Sequence, residues 1–341
     1  MPEPTGFPLG AAATVAQLEG ADAHAVLAQL RANEPVSWLP ALRGWLVTRR
    51  SLVLRVMRDP EGFTVDDPRF STAQVVGRSM LSTDGAEHER HRRPFDPPFG
   101  LAEVRTRFTS TVEAETDRLI TALQPAGSAE LRRGFAGPLA VAVVAETLGL
   151  EGVPLPTVLS WYDAIVAAVS GVAAGREVSA DGREAFDALR TSVEAVVGRG
   201  SGGPGSGTTS LLAAAAHAED LRTDDVVSNA AVLMFGGIET TEGMIANAVW
   251  HLLTHPDELA EVRADPTLLT NALEESLRME PAAAVVDRYA TGDVELGGAP
   301  VRRGDLVVVS LAGANRDPAV FTDPDRFDVR RPNARQQVAF A

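Results

Sequence analysis

Apolar positions along this chain recur mostly at helical spacing, with short alternating runs near both ends. GWLVT at 44 to 48 reads as a short strand, and LVLRVMRDP after it as a helix that ends before Pro60. Helical patterns dominate beyond residue 100: LAEVRTRFTSTVEAETDRLITAL, then PLAVAVVAETLGL, then a pair around 157 to 198. From Thr223 one unusually long pattern runs through LMFGGIETTEGMIANAVWHLLTH to His255, where Pro256 stops it. Asp224 and Asp225 lie in its first turn, where carboxylates suit the helix dipole. A second helix is expected over about 267 to 279, ending at Pro281. DVELGGAPVRRGDLVVVSLAG then alternates short apolar runs with Gly and Pro turns, the pattern of a small sheet. GRGSGGPGSG at 198 to 207 reads as a flexible surface link, and there is no internal repeat. The expected fold class is mainly α with small β-sheets.

Composition narrows the function. A length of 341 residues admits two domains or one large one. With 45% hydrophobic and 23% charged residues, the chain has material for a sizeable core. A net charge of −15 repels a nucleic-acid backbone, so no nucleic-acid partner is expected. MPEPTGFPLG has no basic region leading into an apolar core, and no stretch of roughly 18 uncharged apolar residues occurs, which points to a cytoplasmic protein with no membrane partner. The cysteine count is zero, which removes disulfides, thiolate metal ligands and cysteine nucleophiles together.

Three stretches carry candidate chemistry. Gly236 and Gly237 sit inside the long helix, each at a cost of roughly 1 kcal/mol relative to alanine. Close helix packing would explain them. So would a ligand groove, since Glu239, Thr240 and Thr241 follow at once and a Thr240 hydroxyl can bond back to the Gly236 carbonyl, opening the backbone. An acid and a hydroxyl at such a groove can relay protons. In HERHRR, His88 and Arg92 are four apart on one helical face, either a solvated charged turn or a clamp for a buried carboxylate. In EESLR, Glu275 and Arg278 are three apart, a surface pair or, with Arg326 of DPDRF, a structural cluster.

In order and spacing these stretches resemble the cytochrome P450 haem-thiolate monooxygenases of the soluble bacterial type. DGAEHERHRR is similar to the family's haem-contacting helix, GGIETT to its oxygen-binding motif, EESLR to its ExxR helix, and ANRDPAVFTDPDRF to the segment completing the Glu-Arg-Arg cluster. The resemblance runs from about residue 30 to the end and implies a single incomplete domain over 1–341. It implies that His88 and Arg92 hold one haem propionate with help from Arg288, that Gly236 and Gly237 border the haem, and that Glu239 and Thr240 deliver protons beside bound oxygen. It further implies that Glu275, Arg278 and Arg326 form the structural cluster. Arg90 and Arg93, on the other face of the first helix, would meet a ferredoxin-type electron donor.

Two departures alter the expectation. Pro94, Pro97 and Pro98 must end the first helix early. QQVAFA resembles the lead into the cysteine loop, FxxGxxxCxG, and the sequence stops at Ala341, so the expected architecture is a P450 fold lacking that loop and the final helix. The cysteine thiolate favours O–O cleavage in this family. Its substitute would have to be His24, His88, His91, His217, His251 or His255, none of them in a segment expected beneath the iron. Loss of the last helix should also expose apolar surface on the long helix. The readings are a truncated monooxygenase of secondary metabolism, inactive by the thiolate route and acting by descent on a small apolar substrate, or a haem-free auxiliary protein that binds a partner enzyme such as a glycosyltransferase. A third, a non-redox enzyme reusing the pocket, has no catalytic set behind it. Residues around 63 to 82 and 156 to 200, mostly small and apolar, would line the substrate pocket.

Overall fold

The computed structural model describes residues 4–150, 152–198, 211–216 and 221–340. The Gly- and Ser-rich link at 198 to 207 falls outside them except for Gly198, as do His217 and Ala341. The chain divides into two compact units, one of residues 1–65 with 244–341 and one of residues 66–243. The division falls within the long helix Thr223–Thr254.

The first unit is built on a five-stranded sheet. Its strands are β1 (Val36–Leu39), β2 (Gly44–Val47), β3 (Phe63–Thr64), β4 (Val285–Ala290) and β7 (Leu306–Ser310), in the order β1-β2-β7-β4-β3. β2 and β7 run parallel, and every other neighbouring pair is antiparallel. β5 (Val294–Leu296) and β6 (Ala299–Val301) form a separate hairpin. The sequence signals β5, β6 and β7 but not β4, and the further partners of β7 and β4, namely β2 and β3, come from the first 65 residues, a long-range pairing that no local pattern encodes. Alternation sorts the side chains by face. Trp45, Val47, Val307 and Val309 pack with Val53 and Val56 of the helix Arg50–Met57, whereas Leu46 and Val308 pack with Leu27 and Leu30 of the helix Ala23–Asn33.

The second unit is helical. Val226, Val227, Ala230, Ala231, Met234 and Ile238, at three- and four-residue spacing on the long helix, bury one stripe. Val141, Val144, Ala145 and Leu148 of the helix Gly137–Leu148 join it, with Val158, Tyr162 and Ile165 of the helix Leu155–Ala173. Leu155–Ala173 is the one helix among the described residues long and apolar enough to cross a membrane by length and composition. Its Asp163 carboxylate is paired with Arg133 at 3.1 Å.

The long helix ends at Thr254, as expected, and Pro256 does more than stop it. It is the first residue of the next helix, Pro256–Ala264, where its missing N–H costs nothing. The ExxR helix spans Leu269–Met279, preceded by a single 3-10 turn at Pro266–Leu268.

Candidate functional site

The helix Gly85–Arg92 ends as early as its prolines require and passes into two 3-10 turns, Arg93–Phe95 and Pro97–Phe99. On it, His88 is half-buried, and its Nδ1 lies 2.7 Å from the Met80 carbonyl. A carbonyl only accepts, so Nδ1 carries a proton, and Nε2 makes no hydrogen bond among the described residues. Arg92 is exposed and pairs with Asp96 at 3.1 Å. Such an exposed pair contributes little and exchanges readily for another anion.

The partly exposed Arg90 guanidinium is bound to Glu87 at 2.7 Å and to the buried Asp225 at 3.2 Å, at the first turn of the long helix. Burial raises the Asp225 carboxyl, yet the Arg222 amide and Arg90 outweigh it and hold it below the usual carboxylate range. Arg93 is exposed.

On the long helix the two glycines have different reasons. A Cβ on Gly237 would lie 2.4 Å from Val144 Cγ2, so this glycine serves helix packing. A Cβ on Gly236 would meet nothing within 4 Å, so this one leaves a bare, exposed face. The packing reading thus holds for Gly237 and not for Gly236. The Thr240 hydroxyl donates to the Gly236 carbonyl, as the sequence suggested. The backbone does not open there, however, because the helix runs on without interruption from Thr223 to Thr254 and the hydroxyl adds to the helical bonding rather than replacing it. Glu239 is exposed beside it. Burial, with Glu239 and Glu242 nearby, pushes the Tyr162 phenol well above its ordinary range.

Glu242 was not signalled by the sequence. It is 1% exposed, and its carboxylate accepts from Arg132 Nε at 2.6 Å and faces Arg133 at 3.5 Å. Both arginines belong to the π-helical turn Arg132–Ala136, so a buried charge anchors the segment just past Thr240.

In the first unit, Arg288 lies on β4 with Nη1 donating to the Asp287 carbonyl at 2.8 Å. Burial raises the Asp287 carboxyl above its usual range, against the opposing pull of Arg288. Glu275 and Arg278 are fully buried and paired through two bonds of 2.7 and 2.8 Å. The expected third member, Arg326, is wrong. Its side chain is 65% exposed and reaches only Glu258 at 3.8 Å, and it offers the cluster its carbonyl alone. Arg331 takes the place, with Nε donating to Glu275 Oε1 at 2.8 Å.

The described histidines are all otherwise engaged. His24 bonds Glu280, His91 bonds Asn229, His251 bonds Ser276 and His255 bonds the His251 carbonyl. No group of three or more metal-ligating side chains occurs among the described residues. The expected apolar surface on the long helix is present, with Trp250 at 57% and Leu253 at 62% exposure. Leu269 and Leu273 on the ExxR helix, and Phe340, are exposed as well.

Residues 187–340 match the family model for cytochrome P450. The chain is 34% identical over 321 residues to the 20-oxo-5-O-mycaminosyltylactone 23-monooxygenase of Streptomyces fradiae, covering 92% of this chain and 74% of that one. The chain belongs to the cytochrome P450 family. It is also 35% identical to the nocardicin C N-oxygenase of Nocardia uniformis subsp. tsuyamanensis, covering 91% and 79%. Among solved structures it resembles CalO2 at 30% identity and a TM-score of 0.78, covering 92% of this chain and 81% of that one. P450s bind haem, and the side chains here suit it: the bare face at Gly236 admits a flat group, and His88 Nε2 and the Arg92 guanidinium stand on one helix face where they can meet carboxylates.

Proposed function

We propose that this protein serves a haem-dependent monooxygenase reaction of bacterial natural-product metabolism in the cytoplasm, its substrate a moderately large apolar molecule. The named relatives, which oxidise a tylactone derivative and nocardicin C, support that class. The observation that carries the reading is the juxtaposition on one helix of the bare Gly236, the Thr240 hydroxyl bonded to its carbonyl, and the adjacent Glu239.

Haem, when bound, supplies oxygen activation at its iron. The Arg92 guanidinium, releasing Asp96 to do so, and His88 Nε2 once it too carries a proton would donate to one propionate. Thr240, which donates its own proton to Gly236 O, is left with a free lone pair to accept from water, and Glu239, exposed beside it, can pass protons from solvent. A ferredoxin-type protein would deliver electrons. The 341 residues hold no cysteine, so they provide no thiolate to iron themselves. The test is the visible spectrum of the protein with haemin after reduction under carbon monoxide. Saturable one-to-one haem uptake, seen as a Soret band, supports the reading, and absence of uptake contradicts it.

A second reading, a haem-free auxiliary protein for a partner enzyme, is favoured by the exposed Trp250, Leu253, Leu269 and Leu273. Failure to take up haemin, with co-elution of a glycosyltransferase, would support it over the first.

A further inference from the structure

We propose that Asn229 is a positioning residue that sets the place and orientation of His88. The inference rests on the reading of His88 as a donor to a haem propionate.

Asn229 is 0% exposed and lies on the long helix, seven residues before Gly236. Its Oδ1 accepts the Met80 backbone N–H at 2.8 Å. A backbone N–H can only donate, so this bond fixes which end of the amide is oxygen. The other end, Nδ2, then points its hydrogens at His91 Nδ1, 2.9 Å away. His91 Nδ1 must therefore accept, which makes the ring neutral with its proton on Nε2. That nitrogen lies 3.4 Å from Glu87 Oε1, an acceptor on the preceding turn. Arg90 Nη2, a donor 3.0 Å from the same nitrogen, competes for that position, and it is committed instead to Glu87 Oε1 at 2.7 Å. Burial, reinforced by Arg90, lowers the pKa of His91 and agrees with a neutral ring.

Both anchors converge on His88. The residue whose N–H is held by Asn229 is the one whose carbonyl receives His88 Nδ1–H at 2.7 Å. The ring held by Asn229 belongs to the same short helix, three residues further on. One buried amide thus fixes the carbonyl that orients the imidazole and the helix that carries it. The loop containing Met80 has its own bracing: Ser82 Oγ accepts the Ser79 N–H at 3.0 Å, and Thr83 Oγ1 donates to the Ser79 carbonyl at 2.9 Å. Ser79 and Thr83 are buried. With the ring fixed in this way, Nε2 is the only part of His88 left to meet a ligand.

The test uses the full chain and the variants N229A and N229D, with two readouts. Nitrogen-15 NMR of the histidine rings reports the His91 tautomer. The expected result is Nε2–H in the wild type and a proton on Nδ1 in N229D, whose second carboxylate oxygen must be met by a donor; a His91 signal identical in the two would overturn the proposal. Haemin titration is the second readout. Its half-saturation concentration should rise about tenfold in N229A, the scale of a lost orienting partner, with thermal unfolding followed in parallel. Unchanged haemin affinity in a folded N229A also overturns it. If the wild type takes up no haemin, the reading of His88 fails instead, and the tautomer readout still decides whether Asn229 holds the helix as described.

Discussion

Arg331 donates its Nε to Glu275 at 2.8 Å, and both side chains are buried. The remaining donors of the two arginines on this carboxylate are satisfied by carbonyls: Arg278 by those of Asn315, Pro324 and Arg326, and Arg331 by those of Thr322, Asp323 and Arg326. The ExxR helix and the loop from Thr322 to Arg331 are tied together by this one carboxylate. Removing one partner strands a buried charge, so R331A should cost about 3–5 kcal/mol. R326A, which removes an exposed side chain and leaves the carbonyl in place, should stay within about 0.5 kcal/mol of wild type. Urea unfolding of both variants checks the assignment, and equal losses would refute it.

The two glycines of the long helix should respond in opposite directions to alanine. G237A places a methyl 2.4 Å from Val144 Cγ2 and should destabilise by about 1–3 kcal/mol, a loss recovered in part by V144A. G236A meets nothing within 4 Å and should gain up to about 1 kcal/mol from helix propensity. The same methyl narrows the bare face and should weaken haemin binding. Thermal unfolding and haemin titration of the two single variants separate packing from ligand access.

His251 gives the fold a pH dependence of known sign. Burial lowers its pKa to about 4, with Glu280 opposing and His255 assisting the shift. Its Nδ1 is 2.9 Å from Ser276 Oγ, its ring stacks on Phe327, and its buried Nε2 has no partner among the described residues. The unfolded chain takes up this proton near pH 6.5 and the folded chain only near pH 4, so stability is lost as pH falls through that window. The full loss is about 3 kcal/mol. Unfolding measured from pH 7 to pH 4 should therefore be less steep in H251Q than in wild type, and an unchanged slope would contradict the burial argument.

The exposed leucines on the two helices should matter to solubility and not to folding. L253S with L273S should leave stability within about 0.5 kcal/mol and reduce the fluorescence of a bound apolar dye. Unaltered dye binding would mean that these positions do not form the apolar face.

Much of this was legible in the sequence, because helix ends and motifs are local. Pro60, Pro94, Pro256 and Pro281 mark boundaries through the missing N–H and the fixed φ of proline, and Thr240 lies four residues after Gly236, the spacing of a hydroxyl back-bond. What was missed depends on distant partners. Arg326 and Arg331 lie five residues apart in one Asp- and Arg-rich stretch, and only the path of the loop decides which one points inward. The bond of Arg90 to Asp225, 135 residues away, likewise has no local signal. Asn229 and Glu242 carry no motif, and a buried Asn or Glu on a helix is identified by what packs on it. The five-stranded sheet was half-seen for the same reason, since β7 pairs with β2 across more than half of the chain.

The most direct measurement of the central claim is a haemin titration of the protein beside the double variant H88A/R92A, followed by visible absorption. Saturable one-to-one uptake by the wild type, weakened at least tenfold in the double variant, is the predicted result. Absent uptake, or uptake indifferent to loss of both side chains, would contradict it.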